Sequence, residues 1–281
     1  MILIADSGAT KTDWRTIEAD WSIGQARTIG LNPNFQDTDS IIAELTQNLL
    51  PSLRGEVTEV YFYGTGCAGE YACSIVEKAI RAVFQQATKV EIDSDMLGAA
   101  RGLCGHEAGF ACILGTGANN CLYDGRNIAD KIPSLGFWLS DEGSGGYLGK
   151  TVVVSFLQKE MPTDLAEKFE KRYGLTREIV LENAYKKPFP NRYFSTFSKF
   201  LFDHRSHPFA YQMVYEAFSL FLRKYVCKFE QSKTLKINFT GSVAFYYSDI
   251  LRRAAADLGL TVGIIMETPI AGLTLYHQSD H

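Results

Sequence analysis

The chain begins with the apolar run Met1-Ile-Leu-Ile-Ala, reaches a carboxylate at Asp6, passes through Ser7, Gly8, Ala9, Thr10, Lys11 and Thr12, and turns apolar again at Trp14. Such a stretch reads as a buried strand that reverses over small residues. The turn lets backbone N–H groups approach an anion closely, and it adds two hydroxyls and an ammonium suited to phosphate oxygens. Asp6 stands at the tip of the strand, where a metal ion or its water could sit. An ordinary hairpin has the same outline. The design recurs, however, roughly one hundred residues later. Residues 109–125 read as an apolar strand, a Gly115-Thr116-Gly117 turn and a second strand over 120–123. A third glycine turn, Gly241-Ser242, follows an apolar strand over 235–239 and opens a helix at about Val243 that includes Ala244. A helix N-terminus behind a Gly-Ser turn suits a nucleotide. The repeat predicts two halves of one plan, each carrying a half-site.

In this order the three segments resemble the phosphate-1, phosphate-2 and adenosine elements of the sugar kinase, Hsp70 and actin superfamily. A fourth, LGFWLSDEGSGGYLGK over 135–150, resembles the signature of the N-acetylglucosamine kinase group within the BadF/BadG/BcrA/BcrD ATPase family. With DSGATKTDW, GTGANN and the carboxylate of EIDSDMLGA, the resemblance covers essentially the whole chain. It implies an α/β protein of two ribonuclease H-like (actin-like ATPase) domains facing a central nucleotide cleft. The first would span 1–106 and the second 107–269, with a helical insertion over 141–229. A closing helix over 270–281 would pack back on the first domain.

The resemblance also implies ATP and Mg²⁺ as cofactors and an amino sugar as acceptor, most directly N-acetylglucosamine at its 6-hydroxyl. N-acetylmuramate or a related sugar is an alternative acceptor. The alternative class is an ATPase that activates a partner enzyme, as in the 2-hydroxyacyl-CoA dehydratase activators. Phosphoryl transfer to an alcohol needs positioning, charge neutralisation and an acceptor for the hydroxyl proton. Asp95, just after a strand and just before a helix, matches the family's base position, ahead of Asp93; an Asp there also caps helices. Asp6 is the metal-side residue, holding a Mg²⁺-bound water rather than the ion itself. Ser7, Gly8, Thr10 and Lys11 would meet the phosphates from one side, Gly115, Thr116 and Gly117 from the other, with Gly241, Ser242 and Ala244 at the nucleoside. Lys11 could equally be an exposed hairpin lysine. The sugar contacts carried over are Asn32, Gly66, Asp95, Thr116, Asn119 and Asp141, with Asn34 a rival of Asn32 and helix capping an alternative role for Asp141. One departure stands out: Met96 and Leu97 are bulky where relatives often carry small residues after the base.

A chain of 281 residues, 46% of them hydrophobic, can bury one large or two modest cores. A net charge of −4 leaves no basic excess for a polyanion, which argues against nucleic acid. No apolar run is long enough to span a membrane and no basic segment precedes the first strand, so a cytoplasmic protein without membrane contact is expected. A homodimer is common in relatives. None of the six cysteines, Cys67, Cys73, Cys104, Cys112, Cys121 and Cys227, forms a C-x-x-C pair; buried structural thiols are expected rather than an iron–sulfur cluster.

Pattern and punctuation predict strands over 1–6, 13–19, 25–31, 89–92 and 260–266, and one in VYFYG. Helices are predicted over 39–50, capped by Asp39 or Ser40, and over 70–86, 147–158, 163–173, 176–185, 193–204, 210–229 and 270–277. The aromatic residues Phe194, Phe197, Phe200 and Phe202 read as helix packing rather than a ligand cage.

Overall fold

The computed structural model describes residues 1–8 and 10–279; Ala9 of the first turn and the end of the expected closing segment lie outside the described residues. The chain divides into two compact units, one built from 1–108, 123–128 and 268 onward, the other from 109–122 and 129–267.

Unit 1 carries β1 (Ile2–Ser7), β2 (Lys11–Ile17), β3 (Ile23–Ile29), α1 (Thr38–Glu44), β4 (Glu59–Gly64), α2 (Glu70–Val83), β5 (Lys89–Ser94) and α3 (Asp95–Cys104). Its sheet has the order β3-β2-β1-β4-β5. β1 to β3 pair antiparallel, whereas β1, β4 and β5 run parallel. Parallel strands need crossovers, which α1, α2 and their connections supply. The core gathers Leu3, Ala5, Trp14, Val60, Phe62, Val76 and Ile80, all fully buried or nearly so.

β2 and β3 lie two residues earlier than the pattern predicted. The cause is the tightness of the first turn, closed by Gly8 N–H donating to Lys11 O at 2.9 Å, which makes Lys11 a strand residue. α1 is capped by Asp37, whose carboxylate accepts from Ser40 N–H at 2.9 Å, not by Asp39 or Ser40 as expected. Beyond Glu44 the helix widens to a π turn over Leu45–Leu49.

The C-terminal helix (Ile270–Ser279) packs on α3 of this unit. Two glycines permit the approach: a Cβ on Gly272 would collide with Gly102 O, and one on Gly102 would lie 2.7 Å from Pro269 O. His277 stacks on Tyr61 at 3.9 Å and its Nε2 bonds Tyr63 Oη at 2.9 Å.

Unit 2 carries β6 (Gly109–Leu114), β7 (Ala118–Tyr123), β8 (Ile128–Asp130), α4 (Gly145–Leu157), α5 (Thr163–Tyr173), α6 (Arg177–Tyr185), α7 (Pro190–Ser195), α8 (Ser198–Asp203), α9 (Pro208–Tyr225), β9 (Ile237–Thr240), α10 (Ser242–Tyr246), α11 (Ser248–Asp257) and β10 (Val262–Met266). The sheet order is β10-β9-β6-β7-β8. Renumbered from β6, that is the order of unit 1, so the repeat seen in the sequence is a repeat of topology.

β8 was not foreseen. It is three residues long and mostly exposed, with no apolar alternation to mark it. The helix predicted over 193–204 is two helices. At the break Thr196 Oγ1 donates to Tyr193 O at 2.7 Å and Ser198 Oγ to Ser195 O at 2.7 Å, hydroxyls that compete for helical carbonyls. α9 begins at Pro208, a residue suited to a first helical turn. Phe194, Phe197 and Phe200 are buried in this unit's core with Phe169 and Phe218. Cys67, Cys112 and Cys121 are buried, and no disulfide forms among the described residues. Among the described residues no helix is long and apolar enough to cross a membrane.

Candidate active site

In unit 1 the parallel register puts three strand ends level: Ser7 of β1 opposite Gly64 of β4, and Gly64 opposite Ser94 of β5. The residues at those carboxyl ends are Asp6, Thr65 and Asp95. In open α/β sheets ligands bind at that edge. Thr65 Oγ1 donates to Asp95 Oδ2 at 2.7 Å, fixing the carboxylate. Ser94 caps α3 by accepting from Leu97 N–H at 3.3 Å, so Asp95 is the first helical residue and not the cap. Gly98, where a Cβ would lie 2.6 Å from Tyr63 Cβ, lets α3 sit close to β4.

Asp6 is short of positive charge. Its carboxyl is pushed up to about 7, first by burial, then by the charges of Asp95 and Asp13, with Lys11 pulling the other way. Lys11 Nζ is held by Asp13 Oδ2 at 2.7 Å, and Arg27 Nε by Asp13 Oδ1 at 2.8 Å. Burial opposes the Asp13 charge, but these two hydrogen bonds outweigh it and hold the carboxyl below its ordinary value.

Ser7 is fully buried. Its Oγ lies 2.8 Å from Thr12 Oγ1, donates to Leu31 O and accepts from Leu31 N–H, both at 3.0 Å. The hydroxyl therefore ties the first turn to the end of β3. Gly8 and Thr10 form the turn proper, with Thr10 O accepting from Gly30 N–H at 3.1 Å.

Leu31 leads directly into Asn32, which is 8% exposed. Its Oδ1 accepts from Asn34 N–H at 2.9 Å. Gly66 has φ +91°, and a Cβ there would collide with Asn32 Oδ1 and reach Asn34 Nδ2. Asn32, Asn34 and Gly66 are thus neighbours, and Gly66 follows the threonine that holds Asp95.

In unit 2 the Gly115-Thr116-Gly117 turn is closed by Gly115 N–H donating to Gly117 O at 3.0 Å. The first amides of α4 dock on it: Gly145 N–H donates to Gly115 O at 2.8 Å and Gly146 N–H to Thr116 O at 3.0 Å. Asp141 is 6% exposed, with a left-handed backbone at φ +67°. Its Oδ2 lies 3.0 Å from where a Gly117 Cβ would stand, and Ser134 Oγ donates to its Oδ1 at 3.3 Å. Burial pushes this carboxyl up, with Ala118 N–H and Ser134 opposing. The cap of α4 is Ser144, accepting from Tyr147 N–H at 3.1 Å, so Asp141 does not cap it.

Gly241 has φ +111°, and a Cβ there would collide with Leu114 O, which brings the third turn against the second. Ser242 is exposed at the start of α10, whereas Ala244 is fully buried in the core. Asn119 Oδ1 accepts from Asn120 N–H at 2.9 Å.

Sequence reasoning missed Thr65, Lys150 and the partners of Glu142. Glu142 is gripped by Lys224 Nζ and by Tyr225 Oη, the latter at 2.6 Å. Lys150 Nζ donates to Phe137 O at 3.2 Å and lies 4.8 Å from the Phe137 ring centroid. These partners sit 13 to 83 residues apart in sequence, and no local motif marks them. Among the described residues no three His, Cys, Asp or Glu side chains come together to hold a metal.

No protein-family model matches the chain, and no curated protein does. Solved structures do. A putative N-acetylglucosamine kinase from Porphyromonas gingivalis is similar at 41% identity and a TM-score of 0.94, with 100% of both chains covered. A putative N-acetylglucosamine kinase from Chromobacterium violaceum shares 16% identity over 98% of both chains at a TM-score of 0.72, a likeness of fold. MamK bound to AMPPNP shares 12% identity, covering 100% of this chain and 98% of the other, at a TM-score of 0.54, again a likeness of fold. The two repeated sheets are those of the actin-like ATPase fold, and at 41% identity over its full length the chain belongs to the family of the Porphyromonas gingivalis protein.

Proposed function

We propose that this chain transfers the γ-phosphoryl group of ATP to an amino sugar, with N-acetylglucosamine as acceptor and its 6-hydroxyl as the site. As a member of that kinase family it is an enzyme, an ATP-dependent sugar kinase. The observation that carries the finer reading is the Asp95 carboxylate, fixed by Thr65, which stands one residue before Gly66 and its two neighbouring asparagines. The motif resemblance to the N-acetylglucosamine kinase group of the BadF/BadG/BcrA/BcrD ATPases supports the same acceptor.

In this reading the Asp95 carboxylate accepts the hydroxyl proton as the sugar oxygen attacks phosphorus, and ADP leaves. Asn32, Asn34, Gly66, Asn119 and Asp141 orient the sugar. Gly8 and Gly115, whose own N–H groups close their turns, give the phosphates close approach; the Thr116 and Gly117 backbone N–H groups, the Thr10 and Thr116 hydroxyls and the Lys11 ammonium take them, and Gly241 and Ser242, with Ala244 buried behind them, shape the nucleoside side. The donor set fits Mg²⁺, which takes one or two carboxylates and fills its shell with water and phosphate oxygens. Asp6 would hold a Mg²⁺-bound water, and the ion would neutralise phosphate charge. The proton-coupled ³¹P spectrum of the product tests the acceptor position. A triplet from a CH₂–O–P group supports the 6-hydroxyl, and a doublet places the phosphate on a ring carbon and refutes it.

A further inference from the structure

Phosphoryl transfer leaves one cavity of unit 2 unused. It holds about 360 Å³ and is lined by Tyr147 and Thr151 of α4 and by Glu216, Ser219 and Arg223 of α9 among others. The α9 residues are spaced three and four apart, so they form one stripe. Arg223 lies seven positions beyond Glu216, a rise of about 10.5 Å, and the two charges do not neutralise each other. Among the described residues Arg223 makes no ion pair, and Glu216 accepts from Gln212 Nε2 at 2.9 Å.

Between them Ser219 is 6% exposed and its Oγ has no hydrogen-bond partner among the described residues. A buried hydroxyl is costly to leave unmatched. The cavity thus offers a cation at one end, an anion at the other, an apolar wall of Met213, Ala217 and Leu220 with the Ser219 hydroxyl buried behind it, and Tyr147 with Thr151 opposite. That set matches a ligand with an anionic group at one end, hydroxyls along its body and an apolar ring face.

We propose that this cavity is a second ligand site, apart from Asp95 and the glycine turns, for a phosphorylated monosaccharide: the phosphate on Arg223, hydroxyls on Glu216 and the ring against the apolar wall. The helices that line it also hold the half-site. α4 donates its first amides to the Gly115–Gly117 turn, and Lys224, next to Arg223, grips Glu142.

The test is a calorimetric titration of the full chain with N-acetylglucosamine 6-phosphate, in saturating N-acetylglucosamine and without nucleotide. The expected result is saturable binding that the free sugar does not displace, stronger than that of inorganic phosphate, and weakened about tenfold or more in Arg223→Gln. Glu216→Gln weakens it several-fold. Both positions are exposed, and both variants keep their basal sugar-dependent turnover. Absence of binding, equal affinity in Arg223→Gln, or inorganic phosphate binding as tightly overturns the proposal. The titration reads the cavity whether or not the chain phosphorylates a sugar, so its failure is separable from that of the kinase reading.

Discussion

Asp95 stands where a strand gives way to a helix, and both neighbours in sequence and space serve it: Ser94 caps the helix and Thr65 holds the carboxylate. Replacing it with Asn keeps the shape and removes the proton acceptor. Asp95→Asn is expected to lower kcat by about 10²–10⁴ with ATP affinity within about threefold, read by steady-state kinetics and nucleotide titration. Lys150 acts through others. Its ammonium holds Phe137 O and lies 4.8 and 5.9 Å from the Phe137 and Trp138 ring centroids, fastening the segment that leads to Asp141. Lys150→Met is expected to raise KM for the sugar several-fold and leave KM for ATP unchanged, with Lys150→Arg restoring most of the loss. Asp6, Asp95 and the glycine turns were legible because small residues and carboxylates punctuate apolar strands. Thr65 and Lys150 were not, since a threonine or lysine acquires its role only from what the fold sets beside it.

Elements are joined by contacts of a longer reach. Glu142 ties the loop before α4 to the end of α9 through Lys224 and Tyr225. Burial works against its charge, yet those two hydrogen bonds prevail and hold the carboxyl below its ordinary value. A depressed carboxyl stabilises the fold above its unfolded pKa, about 4.3, and that stability is lost as pH falls through the lower folded value. The Tm of wild type should therefore exceed that of Glu142→Gln at neutral pH, and the gap should narrow as pH falls below the unfolded value. Thermal melts across pH check this; a gap that stays constant or widens as the pH is lowered into the acid range would contradict it. Strand and helix existence was legible from apolar pattern, whereas the two-residue offset of β2 and β3 was not, because it depends on how tightly the first turn closes. The break between α7 and α8 lay hidden for a similar reason: serine and threonine read as neutral helix residues until their hydroxyls take backbone carbonyls.

At the scale of the molecule, two sheets share one strand order and unit 1 is assembled from three separate stretches of chain. The repeated strand–turn–strand announced that duplication, while the return of residues 123–128 to unit 1 has no counterpart in local sequence. Unit 1 depends on its last element. The C-terminal helix buries Leu273, Tyr276 and His277 and closes on Gly102. A chain ending at residue 267 is expected to lose Tm by several degrees or to lose cooperative unfolding of unit 1, followed by hydrogen exchange of β1 and β4; unchanged protection there would refute that dependence.

If ATP is spent on an amino sugar, as proposed, its turnover depends on that sugar. The measurement is ADP release by the purified 281-residue chain with Mg²⁺ and saturating ATP, with N-acetylglucosamine, N-acetylmuramate, N-acetylmannosamine, glucose or no sugar, and with Asp95→Asn as control. Release is expected to depend on N-acetylglucosamine and to collapse in the variant. Release at the same rate without sugar, or release from glucose alone, would contradict it.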